Sequence, residues 1–174
     1  MWGRILLGLL VAISLAAGYP YANLVLTRLI GTNTIVFHEH DGNVRSLISG
    51  PDAPRPEWLP MLPRSWVVEA GHWLPSPDRE VSGSVELLTH AGVEDIKQFY
   101  LDRLGAAGFA MRDLGYGPLN PATAAYFGID NMLQGYWRDA KLAITVTTRA
   151  PDGLIIRSRL VQISWQSRAD PPTP

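Results

Sequence analysis

The sequence predicts an α+β fold: an antiparallel sheet with one main amphipathic helix packed on one face, preceded by an N-terminal transmembrane helix. Three observations carry this expectation. Between Arg4 and Arg28 lie 23 residues without a charge, and a hydrocarbon core about 30 Å thick needs roughly 20. The segments Val81–Thr89 and Lys141–Arg149 alternate apolar and polar residues, the period of a half-buried strand. Between them, Val93, Ile96, Phe99, Tyr100, Leu104 and Ala107 recur at helical spacing, which gives one apolar face.

Size and composition bound the rest. The 174 residues suit one ordinary domain with a short appendage. Hydrophobic residues make up 47% and charged ones 18%, a balance that excludes extended disorder. A net charge of −1 provides no field to hold a nucleic-acid backbone. The absence of cysteine excludes disulfides, thiolate metal sites, a cysteine nucleophile and a lipid-modified cysteine.

Residues 1–30 read as a transmembrane signal anchor, or as a signal peptide with Arg4 ahead of Ile5–Ala17 and a small-residue cleavage site at Ala16-Ala17-Gly18. Pro20 is tolerated within lipid as a kink. Either reading carries the remaining chain across a bacterial inner membrane, as a single-pass protein with its C-terminal domain in the periplasm. Residues 31–50 hold a β-branched run, an Asp41-Gly42 turn and Val44–Ile48, a membrane-proximal hairpin. Residues 51–64 contain five prolines and form a strap or linker, with Trp58, Leu59 and Met61 favouring a strap.

Residues 65–168 form the periplasmic α+β domain, and 169–174 its tail. Trp66–Trp73 is a strand, followed by Val81–Thr89. Glu94 and Asp95 suit the positive end of a helix from about 93 to 106, with Phe99 at the centre of its buried face and Gly108 as its stop. Phe109, Met111 and Leu114 mark a further strand, giving β-α-β. In the long 115–131 connection, Asn120-Pro121 starts a short helix and Gly128 stops it. Three strands follow, at Met132–Asp139, Lys141–Arg149 and Leu154–Trp165. The last changes parity at Leu160, which requires a bulge or cover on both faces.

The segment Val93–Phe109, flanked by strands, resembles a helix of small exported, membrane-anchored bacterial domains of uncharacterised function. The resemblance spans residues 81–165. It implies a fold and a compartment and brings no catalytic residue with it.

Chemistry-bearing residues are sparse. His38 and His40, two apart on a strand, share a face as metal ligands would, with His72 or His90 to close a site, but they read more simply as polar residues of a hairpin. Ser82 and Ser84 face outward on a strand, His90 follows, and no nucleophile-elbow motif is present. Glu94 and Asp95 are explained by their helix position. Gly115 and Gly117 lack the lysine of a phosphate loop. The candidate partner contacts are Tyr116, Tyr126 and Phe127 of the long loop, and Arg138, Lys141 and Arg149 of the last strands. The aromatics anchor an interface or fold back over the sheet; the basic residues meet acidic partners or headgroups, or simply guard a sheet surface.

The reading is therefore a non-enzymatic accessory domain without a cofactor, acting on an inner-membrane or envelope partner and not on nucleic acid. The alternative is an envelope enzyme or small-ligand binder with a pocket under the 115–131 loop, with or without a histidine-bound metal.

Overall fold

A computed structural model describes residues 11–12, 18–38, 44–73, 81–137, 142–152 and 158–167. Its dominant feature is one antiparallel sheet of eight strands. These are β1 (Asn33–His38), β2 (Val44–Ser49), β3 (Trp66–Trp73), β4 (Val81–Thr89), β5 (Ala110–Asp113), β6 (Ile129–Trp137), β7 (Leu142–Asp152) and β8 (Ser158–Ser167), in the spatial order β1-β2-β3-β4-β8-β7-β6-β5. The helices whose bounds lie within the described residues are α1 (Tyr19–Ile30), α2 (Val93–Ala106) and the short α3 (Pro121–Tyr126).

This corrects the expected architecture. The molecule is mostly sheet with few helices, and no helix among the described residues is long and apolar enough to cross a membrane. The physical reason lies at Gly18, whose φ of 91° breaks the apolar run before α1 begins with Tyr19-Pro20. Twelve helical residues span only about 18 Å. α1 instead rests on the sheet: Thr27 Oγ1 donates to the Val68 carbonyl oxygen at 2.8 Å, and Leu24 packs against Val68, Leu88 and Leu160. Most of Ile5–Ala17 lies outside the described residues.

α2 is not the main cover of the core either. Its main contacts are with β5, β6 and β7. Ile96, Tyr100 and Leu104 are its buried residues, while Phe99 is half-buried and Ala107 exposed, so the face is centred one residue beyond the expected Phe99. The rest of that surface is closed by the proline-rich segment, whose Ala53, Trp58, Leu59 and Leu62 are buried in the same core as Val85, Leu87, Val161 and Ile163. Prolines suit this role because a strap lying across a sheet makes few backbone hydrogen bonds of its own. Trp58 stacks near Phe109 at 5.6 Å and edge-on to Trp165 at 6.4 Å.

A clasp joins α2 to the sheet edge. Lys97 Nζ lies 2.6 Å from Glu94 and 3.4 Å from Asp113, and Asn131 Nδ2 donates to Asp113 at 2.9 Å. Burial pushes the Asp113 carboxyl up, but hydrogen bonds from the Gly115 N–H, Asn131 and Lys97 outweigh it and hold the group below its ordinary range.

The residues 31–50 hairpin is continuous with the main sheet, through Leu47↔Trp73, Ile48↔His72 and Ser49↔Gly71. The parity change of β8 is explained by cover on both faces. Its register with β4 is unbroken from Arg159 to Ser167; Val161 enters the main core while Leu160 turns to the cluster under α1.

Candidate functional site

Strand alternation sorts the sheet's side chains between two faces. Opposite the core, β4 presents Ser82, Ser84 and Glu86, β7 presents Thr145, and β8 presents Ser164 and Gln166. These polar side chains, half-exposed apart from the exposed Gln166, floor a trough of about 650 Å³ beside Leu47 and Trp73. α1 covers this face only toward its Val68, Leu88 and Leu160 end.

Two carboxylates meet in the trough. β3 shifts register between Val67 and Glu69, a bulge that turns both Val68 and Glu69 to the open side. Val68 thereby reaches α1, and Glu69 comes directly opposite Glu86. Ser49 Oγ donates to Glu69 Oε1 at 3.2 Å. Burial raises the Glu86 carboxyl above its ordinary range, the Glu69 charge adds to this, and Arg149 offsets part of it. Such a pair attracts a cationic group, because a cation relieves both the burial and the repulsion.

A second cleft, of about 510 Å³, lies at the other end of β4, formed by Pro63–Trp66 with Thr89, His90 and Ala91. Arg64 there holds a φ of 58°, a conformation uncommon outside glycine. Trp66 meets the His90 ring edge-on at 5.8 Å. Ser158 Oγ lies 3.1 Å from His90 Nδ1, so the serine partnered with this histidine is Ser158, and Ser82 and Ser84 stay in the trough. Ser158 is only 2% exposed, and the contact secures the start of β8 to the end of β4.

The long loop presents its aromatics outward. Tyr116 is exposed, and Tyr126 and Phe127 are 84% and 58% exposed. α3 carries the last two at its end: Asn120 Oδ1 caps it by accepting from the Thr123 N–H at 2.9 Å, Ala124 is buried beneath, and the Tyr126 and Phe127 rings meet edge-to-face at 5.2 Å. Neither the trough nor the second cleft is lined by a residue of 115–131.

Of the basic candidates, one is described. Arg149 stands on the open face and donates to Gln162 Oε1 at 3.3 Å; Arg138 and Lys141 lie outside the described residues. Arg159 pairs with Asp130 at 3.3 Å. His40 is also outside the described residues, His38 lies at the far end of β1, and His72 turns toward the core, where burial lowers its pKa. Among the described residues no three His, Asp or Glu side chains gather where they could hold a metal ion.

Sequence reasoning missed Glu69 and Ser158. Glu69 sits in a strand without clean alternation, and its pairing with Glu86 depends on a bulge; Ser158 has no local signal at all. Compared with known proteins, the chain matches no family model, no curated protein and no solved structure.

Proposed function

We propose that this chain is a non-enzymatic interaction domain of the bacterial envelope that grips a protein partner through the aromatic pair Tyr126 and Phe127. The observation that carries the reading is their exposure on a capped, well-seated helix turn. Large aromatic side chains fixed in place supply contact area at low entropic cost and dominate interface energetics. Tyr116, exposed on the same loop, extends the surface.

Export is supported by the apolar Ile5–Ala17 run behind Arg4. Because α1 packs on the sheet through Leu24 and Thr27, the run acts as a leader removed near Ala17-Gly18, and α1 remains with the exported domain. Mass spectrometry of the cell-derived protein is expected to find a chain beginning close to Gly18, released from membranes by a carbonate wash.

The interface is tested by affinity recovery from envelope extracts. Tyr126→Ala with Phe127→Ala is expected to lower partner recovery at least about tenfold without a change in melting temperature. Undiminished recovery overturns the assignment.

A second reading is favoured by the opposed Glu69 and Glu86: a small cationic ligand held in the trough. Spermidine is the probe, and a rise in melting temperature that Glu69→Gln removes would support it.

A further inference from the structure

The two edges of the sheet are built differently. β5, at one edge, is four residues long and carries Arg112 and Asp113, the short and charged form that discourages another strand from pairing. β1, at the other, is the six-residue Asn33-Thr-Ile-Val-Phe-His38, with no Pro, Lys, Arg, Asp or Glu. Ile35 and Val36 are 43% and 50% exposed and belong to opposite faces of the strand. Among the described residues no strand pairs with the outer side of β1.

β1 and β2 pair over six positions, from Asn33↔Ser49 to His38↔Val44, and among the described residues β2 continues into β3 from Leu47↔Trp73 to Ser49↔Gly71.

We propose that β1 binds a second copy of this chain, the two β1 strands lying antiparallel about a two-fold axis normal to the sheet and joining the two sheets into one. The occupant follows from the strand itself. It is neutral, so a reversed copy sets no like charges face to face. Continuity of the two faces requires the axis to pass through one residue of the strand. Centred on Ile35 it pairs Ile35 with its copy and Thr34 with Val36; centred on Val36 it pairs Val36 with its copy. Either register places aliphatic side chains against each other, the favourable cross-strand arrangement. A contact that uses the same strand on both copies closes at two, and the charged β5 edges then lie outermost. A six-residue edge alone falls short of the about 800 Å² per partner of a standard interface. Leu29 and Ile30, both exposed, end α1 just before β1 and supply further apolar area.

The chain has no cysteine, so a single introduced one reports proximity to its own copy. A residue on the axis faces its copy with Cβ atoms about 4.5–5.5 Å apart, within reach of a disulfide after small shifts. The full chain, kept dispersed in mild detergent, is oxidised as Ile35→Cys, as Val36→Cys and as the opposite-edge control Arg112→Cys. A disulfide-linked dimer from at least one β1 variant and none from the control is expected. Sedimentation of the parent chain is expected to show a concentration-dependent dimer, weakened at least about tenfold by Ile35→Lys with Val36→Lys. The cysteine variants keep β1 uncharged and decide the matter where the lysine pair disturbs folding. A parent chain monomeric up to about 100 µM with no β1 cross-link overturns the proposal, as does equal cross-linking from Arg112→Cys.

Discussion

Glu69 of β3 and Glu86 of β4 oppose each other directly on the open side of the sheet, with the Ser49 hydroxyl turned to the Glu69 carboxylate. Burial raises the Glu86 carboxyl above its ordinary 4.5, and Glu69 raises it further. A carboxyl that holds its proton more tightly when folded stabilises the fold below the unfolded value, and that contribution is lost as pH rises through the folded value. Glu86→Gln is therefore expected to raise the melting temperature near pH 7 by about one or two degrees. It should leave the value near pH 4 unchanged, and paired melts at the two pH values check this.

The α2 face separates three neighbouring substitutions. Ile96 is fully buried and Phe99 only half so. Ile96→Ala is expected to cost about 2–5 kcal/mol, the range for aliphatic core truncations, and Phe99→Ala less than Ile96→Ala. The Tyr100 hydroxyl is buried and makes no well-formed hydrogen bond among the described residues; burial drives its pKa far up and a weak contact with the Leu62 backbone only partly offsets this. Tyr100→Phe should be neutral or stabilising by up to about 1 kcal/mol. Urea denaturation at fixed pH ranks the three.

Gly83 admits no side chain. A Cβ there would strike the Trp165 ring and come within 2.6 Å of the Gly71 carbonyl oxygen. Gly83→Ala is expected to cost about 3 kcal/mol, since neither a central indole nor a strand backbone can yield cheaply. A drop in tryptophan emission shift on unfolding at lower urea would register it.

The docking of α1 can be probed through Leu24. If the helix belongs to the folded domain, Leu24→Ala removes a contact with Val68, Leu88 and Leu160 and should cost about 1–2 kcal/mol, below the range for fully buried leucines. An unchanged unfolding midpoint would show that α1 contributes nothing to the domain.

What the sequence made legible was local. Val81–Thr89 and Lys141–Arg149 alternate because one of their faces is buried and the other is not, and that asymmetry is written in the residues. α2 was placed for the same reason. The strand order was not legible, because the apolar pattern of β5 is the same whether it lies beside β4 or, as found, at the far edge beside β6. The expected helix across the uncharged run meets a competing feature: the run reads as one membrane segment, yet Gly18 and the Thr27 and Leu24 contacts set its second half apart as α1. Of the open face, Ser82, Ser84 and Glu86 were visible as outward residues; their meeting with Glu69 needs a bulge that no motif announces.

The position of β8 sets the order in which the molecule can be completed. β8, the most C-terminal of the described strands, lies between β4 and β7, so until it is made β1–β4 and β5–β7 have no strand to join them. Nucleation must wait for contacts far apart in sequence, such as Val85 with Ile163, which slows folding. A chain cut short by even one strand would leave β4 and β7 as open templates for aggregation.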